Sequence, residues 1–194
     1  MNIGLVIGNG PSLRDVPLDF LNKYPSIGSN AIYLLKGFTP TYYTAIAPVN
    51  RADFVDTVNK IDCIKIIGER VLNTCALKNV IAVKKGQANT FSKNPFKVPA
   101  CEGWTVTYFN LQLAYYLKWD VVLLVGVDHW AKGNQSHFVD NYIQQDFEDS
   151  DMNDLTLPYY NMAKAMFEKA GRTIVNLSKW SALDVFEKQD IGLW

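Results

Sequence analysis

Residues 3–13 read IGLVIGNGPSL, and this stretch decides the fold. Ile3–Ile7 is a continuous apolar run rich in β-branched residues, which is typical of a strand covered on both faces in a parallel sheet. The run stops at a segment whose glycines and proline predict a tight loop; its residues are Gly8, Asn9, Gly10, Pro11 and Ser12. A buried strand that passes directly into a glycine-rich loop favours an α/β protein.

Strand-like and helix-like segments alternate along the rest of the chain. Further strands are predicted at 26–29, 42–47, 63–67, 80–83, 121–125 and 173–175, and helices at 15–24, 51–60, 105–119 and 159–170. This order predicts a Rossmann-like α/β fold: a mostly parallel sheet with helices on both faces. Residues 1–194 are interpreted as a single nucleotide-binding domain, with the polar segment 129–154 as a small lid. Residues 84–102 lack periodicity and predict a long loop, a feature that is often functional.

Composition excludes several classes of protein. Hydrophobic residues make up 48% of the 194 residues, so the chain can build a core and is not disordered. Lys and Arg together number 19, as do Asp and Glu, and this balance argues against a nucleic-acid binder. No apolar run approaches the ~20 residues that cross a bilayer, and the N-terminus lacks the pattern of a signal peptide. A cytoplasmic protein is therefore expected.

The cysteines give no metal signature. Cys63, Cys75 and Cys101 are widely spaced, with no CxxC pair and no zinc-ligand spacing. They are interpreted as reduced, at least half-buried thiols, with a catalytic cysteine paired to His129 or His137 as the alternative.

Three unusual segments follow predicted strands: the loop 8–12, Asn30, and Gly126-Val127-Asp128-His129. In open α/β sheets ligands bind beyond the carboxyl ends of the strands, so these segments are expected to form one site. The glycines let the backbone approach a ligand, its N–H groups suit phosphate oxygens, and Asn9 offers a donor and an acceptor to a ribose or base. The alternative for the loop is a plain strand–helix turn. Gly126 and Asp128 are predicted to line the same site.

A second anion site is predicted at the start of the helix near residue 105, at Gly103 and Thr105, because N-terminal amides carry positive partial charge. The alternative there is a simple helix cap. His129 and His137 are the chain's two histidines, and each is a candidate general base near neutral pH or else a structural histidine. An acidic cluster at 148–154 either holds Mg²⁺ beside a diphosphate or is a solvated loop; its members are Glu148, Asp149, Asp151 and Asp154.

The chain resembles two related groups of proteins. The motifs that carry the resemblance are IGNGPSL at 7–13, SNAIY at 29–33, TVTYFNLQLAYYLKWDVVLLVGVDH at 105–129, SHF at 136–138, LPYYNMAKAMFEKAGRTIVNLS at 157–178 and LDVF at 183–186. Together they are similar to bacterial and phage proteins of the 6-hydroxymethylpterin diphosphokinase-like family. The same features resemble the lipooligosaccharide sialyltransferases of bacteria, which have a Rossmann-like domain with a lid and need no metal for their chemistry.

The sialyltransferase resemblance implies roles for individual residues. Asn9 and Gly10 would contact the nucleotide, Asn30 the ribose or phosphate side, and His137 would deprotonate the acceptor hydroxyl. The chain departs from the family where a serine-glycine pair is expected, since it has Glu102-Gly103-Trp104-Thr105 there. Thr105 is the residue that can supply the hydroxyl.

Three functional hypotheses follow. The first is a glycosyltransferase that uses a nucleotide-sugar donor, such as a CMP-sugar, and a glycan or small hydroxyl acceptor, with no metal. The second is an ATP- and Mg²⁺-dependent diphosphokinase acting on a pterin-like alcohol. The third is a nucleotide-binding protein without activity. The aromatic content and the terminal Trp194 are compatible with a homo-oligomer.

Overall fold

In the computed structural model, eight strands form one sheet in the order β5-β4-β3-β2-β1-β6-β7-β8. The structure describes residues 1–129, 137–139, 149–178 and 180–194, with the backbone alone at 149–153. The strands are β1 (Ile3–Ile7), β2 (Ser26–Ser29), β3 (Tyr42–Ala45), β4 (Ile64–Gly68), β5 (Val80–Val83), β6 (Val121–Val125), β7 (Thr173–Asn176) and β8 (Glu187–Lys188). Every pairing between neighbours is parallel, which confirms the predicted fold class.

Helices cover both faces of the sheet. They are α1 (Leu18–Leu21), α2 (Phe54–Lys60), α3 (Glu69–Leu72), α4 (Val106–Tyr116) and α5 (Asp149–Lys169), with 3₁₀ turns at Pro11–Asp15, Asn30–Leu34 and Ile191–Leu193. Successive side chains of β1 point to opposite faces of the sheet. Val6 packs with α4 and α5, whereas Leu5 and Ile7 pack with α1, α2 and α3. This double burial explains why β1 is apolar throughout.

Two predicted helices differ from those observed. The helix predicted over 15–24 is instead a 3₁₀ turn followed by the short α1, because Pro17 forces Val16 into an extended conformation with φ −88° and ψ 122°. The helix predicted over 159–170 begins ten residues earlier, at Asp149. Its polar first turns lack the apolar periodicity by which the sequence indicates a helix. Residues 149–154 of the predicted lid therefore belong to α5, and most of the remainder lies outside the described residues.

The direction of strand order reverses between β1 and β6. β1 pairs with β2 on one side and with β6 on the other, although β6 comes much later in the chain. Such a reversal leaves a crevice at the carboxyl ends of the two strands, where ligands of open α/β sheets bind. The loop 8–12 and the segment 126–129 both start at this crevice. No described helix is long and apolar enough to cross a membrane.

Candidate functional site

The loops after β1 and β6 lie against each other at the crevice. Gly8 N–H donates to the Val125 carbonyl at 2.8 Å and Gly10 N–H donates to the Gly126 carbonyl at 2.7 Å. A Cβ at Gly8 would overlap the carbonyl oxygen of Gly126, so only glycine allows this approach. Gly126 itself has φ +66°, a left-handed conformation. Gly8 and Gly126, both among the predicted site residues, therefore let the backbones of the loops after β1 and β6 lie close together.

A buried carboxylate holds the same loop. Asp128 is 2% exposed, and its Oδ2 accepts from the Ser12 backbone N–H at 2.7 Å while its Oδ1 accepts from the Ser12 hydroxyl at 2.5 Å. A Cβ at Gly10 would overlap this carboxylate. Two residues predicted to bind a ligand, Ser12 and Asp128, are thus bonded to each other, and Pro11 lies between Gly10 and Ser12 at the start of the 3₁₀ turn. In the structure, the two hydrogen bonds between Ser12 and Asp128 hold the loop 8–12 in its conformation.

Asn9 and Ser29 present unpaired polar atoms between β1 and β2. The Asn9 amide donates from Nδ2 to the Ser29 carbonyl at 3.0 Å. Asn9 Oδ1 and Ser29 Oγ are buried and have no hydrogen-bond partner among the described residues. An unsatisfied buried polar atom costs about 1–3 kcal/mol, so this place is suited to a polar ligand or a water molecule. Ser29 was missed at the sequence level, although its place at the end of β2, directly before Asn30, could have indicated it.

Asn30 lies next to this pair in an unfavourable backbone conformation. Its φ is +49°, and its carbonyl accepts from the Tyr43 hydroxyl at 2.9 Å. Left-handed residues other than glycine cluster at functional sites, and asparagine tolerates this region better than most. The structure thus brings Asn30 beside Asn9 and Ser29, as the strand ends predict.

The segment 137–139 is attached to the loop after β1. Phe138 N–H donates to the Asn9 carbonyl at 2.8 Å, and the Phe138 carbonyl accepts from Arg14 Nε at 2.7 Å. The Phe138 side chain is buried in the core shared with β1. His137, one residue earlier, is therefore placed beside the loop 8–12. Burial lowers the pKa of His137 below its ordinary 6.5, which keeps its imidazole neutral at pH 7. Arg14 was not indicated by the sequence.

His129 connects the β6 loop to α5 and α4. It has φ +54°, and its Nε2 lies 2.9 Å from the Tyr160 hydroxyl. Burial raises the pKa of Tyr160 to about 12, and hydrogen bonds with the hydroxyls of Thr105 and Thr107 oppose that rise. The Tyr160 phenol is therefore neutral at pH 7. The two histidines thus stand in different places: His137 beside the β1 loop and His129 against Tyr160.

The start of α4 has the helix cap that the sequence left as an alternative. Thr105 Oγ1 accepts from the Thr107 N–H at 3.2 Å. Gly103 has φ +57°, and a Cβ there would overlap Tyr108. Because α4 contacts β1, β2 and β3 and leads back to β6, its N-terminus lies at the carboxyl edge of the sheet. The positive end of the α4 dipole can face an anion bound there, and anion binding at Gly103 and Thr105 stays a prediction.

Neither the acidic cluster nor the cysteines form a metal site among the described residues. In that part of the chain no group of three or more His, Cys, Asp or Glu side chains is placed to hold a metal ion. Glu148 lies outside it, only the helical backbone is described at Asp149 and Asp151, and Asp154 is exposed. The three cysteines are free thiols, half-buried or buried, and burial raises the pKa of Cys63, which disfavours its thiolate.

Comparison with known proteins identifies the fold. No protein-family model matches the chain, and no curated protein matches it in sequence. A solved structure of the sialyltransferase CstII from Campylobacter jejuni in complex with the substrate analogue CMP-3FNeuAc is similar over 97% of this chain and 86% of that chain, with a TM-score of 0.57 and 14% identity. A CST-II structure with a trisaccharide acceptor and CMP is similar over 96% and 85%, with a TM-score of 0.53 and 15% identity. The chain therefore has a sialyltransferase-like fold.

Proposed function

We propose that this protein is a glycosyltransferase that moves a sugar from a nucleotide-sugar donor to a hydroxyl acceptor. The observation that carries the proposal is the pair of buried oxygens of Asn9 and Ser29, which have no partner among the described residues. They lie at the ends of β1 and β2, beside the strand-order reversal, with His137 attached alongside. Two further facts support it: the fold is that of structures solved with CMP, a CMP-sugar analogue and a trisaccharide acceptor, and the crevice is where such folds bind ligands.

Each part of the crevice has a defined task in this proposal. Asn9 Oδ1 and Ser29 Oγ hydrogen-bond the base or ribose, and the positive N-terminal end of the α4 dipole faces the phosphate. Neutral His137 accepts the proton of the acceptor hydroxyl as its oxygen bonds to the anomeric carbon of the sugar. The bond between that carbon and the phosphate oxygen breaks, and the nucleotide leaves with the electron pair. The positive end of the α4 dipole stabilises the charge that develops on it.

A metal-dependent diphosphokinase fits the described residues less well. Transfer of a diphosphoryl group from ATP normally requires Mg²⁺ bridging the phosphates, held by carboxylates. Among the described residues, the one buried carboxylate at the crevice is that of Asp128, which is already bonded through both oxygens to Ser12. We therefore propose that no metal is needed.

The first test is ligand-dependent stability. The protein is heated with CMP, UDP, GDP or ATP, each with and without Mg²⁺. A bound ligand stabilises the native state by about 2.7 kcal/mol at 100-fold excess over its Kd. We therefore expect one nucleotide to raise the unfolding temperature whether or not Mg²⁺ is present. Asn9→Ala should reduce the shift, and Asn73→Ala, an exposed position after α3, serves as the matched control.

The second test separates binding from chemistry. His137→Gln should retain the nucleotide-induced shift and lose sugar transfer. In the parent protein, kcat/KM should fall as the pH drops through the lowered pKa of His137, below 6.5, because only the neutral ring accepts a proton. Transfer at the parent rate in His137→Gln would remove the proposed base. A shift with ATP only in the presence of Mg²⁺ would favour the diphosphokinase, and binding without turnover of any donor would favour a non-catalytic protein.

A further inference from the structure

A shallow depression lies at the carboxyl ends of β3, β4 and β5, away from the reversal point. Its floor includes Ile46, Ala100 and Phe109, and its rim includes Lys84 and Lys85. Its interior is about 10 Å³, which is room for about one water molecule. A carboxylate or phosphate is therefore too large to enter the depression and would lie over it, against the charged side chains of the rim.

The rim carries more positive than negative charge. Glu102 Oε2 lies 3.0 Å from Arg70 Nη1 and 3.5 Å from Lys85 Nζ, so two cations share one carboxylate oxygen. Lys84 adds a third cation, and the exposed Glu69 forms no ion pair with any of them. The side chains of Arg70 and Lys85 are 51% and 56% exposed, which leaves their remaining N–H groups available to a ligand. Arg and Lys in this arrangement suit a carboxylate or a phosphate.

An exposed aromatic side chain stands two residues beyond Glu102. Trp104 is 66% exposed and has φ +64°, directly after Gly103 at φ +57°. A left-handed conformation costs a residue with a Cβ about 1–2 kcal/mol, and such strain tends to persist at functional sites. An indole held in water at the start of α4 provides a flat apolar surface on which the C–H face of a sugar ring can pack.

From these three features we infer that the chain binds an acidic saccharide here. The sugar ring packs on Trp104, and its carboxylate or phosphate lies over the depression, against Arg70, Lys84 and Lys85 of the rim. Because Trp104 directly precedes Thr105, the cap of α4, this saccharide lies next to the proposed donor phosphate site. The assignment of the saccharide as the acceptor rests on the proposed function, whereas its binding does not.

The test measures binding by isothermal titration calorimetry. The ligands are glucose, glucuronate, glucose 6-phosphate and inorganic phosphate, with CMP measured separately. At low salt at least one acidic sugar should bind about tenfold or more tightly than glucose, because the rim attracts its charge, and added salt should reduce the difference. Glucuronate and glucose 6-phosphate show whether the anion is a carboxylate or a phosphate.

Variants locate the binding. Arg70→Gln and Lys85→Gln should each weaken the acidic sugar severalfold and leave glucose unchanged, and Trp104→Ala should weaken both sugars. Lys78→Gln, an exposed lysine before β5, is the matched control. Equal binding of glucose and both acidic sugars would overturn the inference, as would inorganic phosphate binding as tightly as glucose 6-phosphate. If no nucleotide binds but the acidic sugar does, the proposed function fails and the saccharide site stands.

Discussion

The loops after β1 and β6 and the depression beyond β3–β5 lie at the same edge of the sheet but are built in different ways. The loops are joined by backbone hydrogen bonds, by glycines that allow backbones to approach, and by the buried carboxylate of Asp128. The depression is bordered by long charged side chains that share Glu102.

This difference teaches how the two regions can respond to a ligand and to substitution. The loops are already in one arrangement, so a ligand that fits them loses little free energy to ordering. The ion pairs of the depression are partly exposed and screened by salt, so their side chains can exchange Glu102 for another anion. Substitutions in the loops should therefore affect stability and binding together, and substitutions at the depression should affect binding alone.

The largest effect is expected for Gly8→Ala. The new methyl group would overlap the Gly126 carbonyl, and relief requires the two backbones to separate. We expect a loss of about 2–3 kcal/mol of unfolding free energy and of nucleotide binding, measured by urea denaturation and calorimetry. Gly171→Ala is the control: Gly171 has φ +69° but nothing within contact of an added Cβ, so the loss should be about 1 kcal/mol with binding retained. Equal losses in both variants would contradict the close-approach argument.

Asp128→Asn should have the next largest effect. The substitution keeps the shape but turns an NH₂ group toward one of the two donors of Ser12, so we expect a loss of about 1–3 kcal/mol. A double-mutant cycle with Ser12→Ala measures the interaction energy between Ser12 and Asp128 directly. Coupling of at least about 0.5 kcal/mol is expected, and strictly additive effects would show that the bond contributes nothing to stability.

Tyr160→Phe should cost about 1 kcal/mol. It removes the hydroxyl that bonds both His129 Nε2 and the hydroxyls of Thr105 and Thr107, whereas the ring packing against His129 and Phe186 is kept. Thermal unfolding checks this, with Tyr116→Phe, a partly exposed position on α4, as the control. Unchanged stability in Tyr160→Phe would mean that the hydrogen bonds of this hydroxyl do not support the fold.

The smallest effect is expected for Arg70→Gln, whose stability should stay within about 0.5 kcal/mol of the parent, because exposed ion pairs contribute little. Urea denaturation is again the measurement. A loss of 1.5 kcal/mol or more would make the Arg70–Glu102 pair part of the folded framework. The contrast between the two regions would then disappear.

Much of the fold was readable from local patterns. Ile3–Ile7 and Val121–Val125 are apolar because both faces of each strand are covered, and the sequence shows this directly. The first turns of α5 and the two-residue β8 were missed, because the former are polar and the latter too short to show a period. The helix predicted over 15–24 was wrong because its apolar residues outweighed Pro17 in the interpretation.

For the candidate site, the sequence alone determined the glycine-rich loop, its place after a buried strand, and Asn9, Asn30, Asp128 and the histidines as candidates. These are local properties, since residue type and strand pattern depend on near neighbours. Only the tertiary structure decided that Ser12 bonds Asp128, that Phe138 attaches His137 beside Asn9, and that Ser29 belongs to the site. Such contacts join residues up to more than a hundred positions apart, and the crossover that places β6 beside β1 creates them. Distances of that kind follow from strand order and register, which no local pattern encodes.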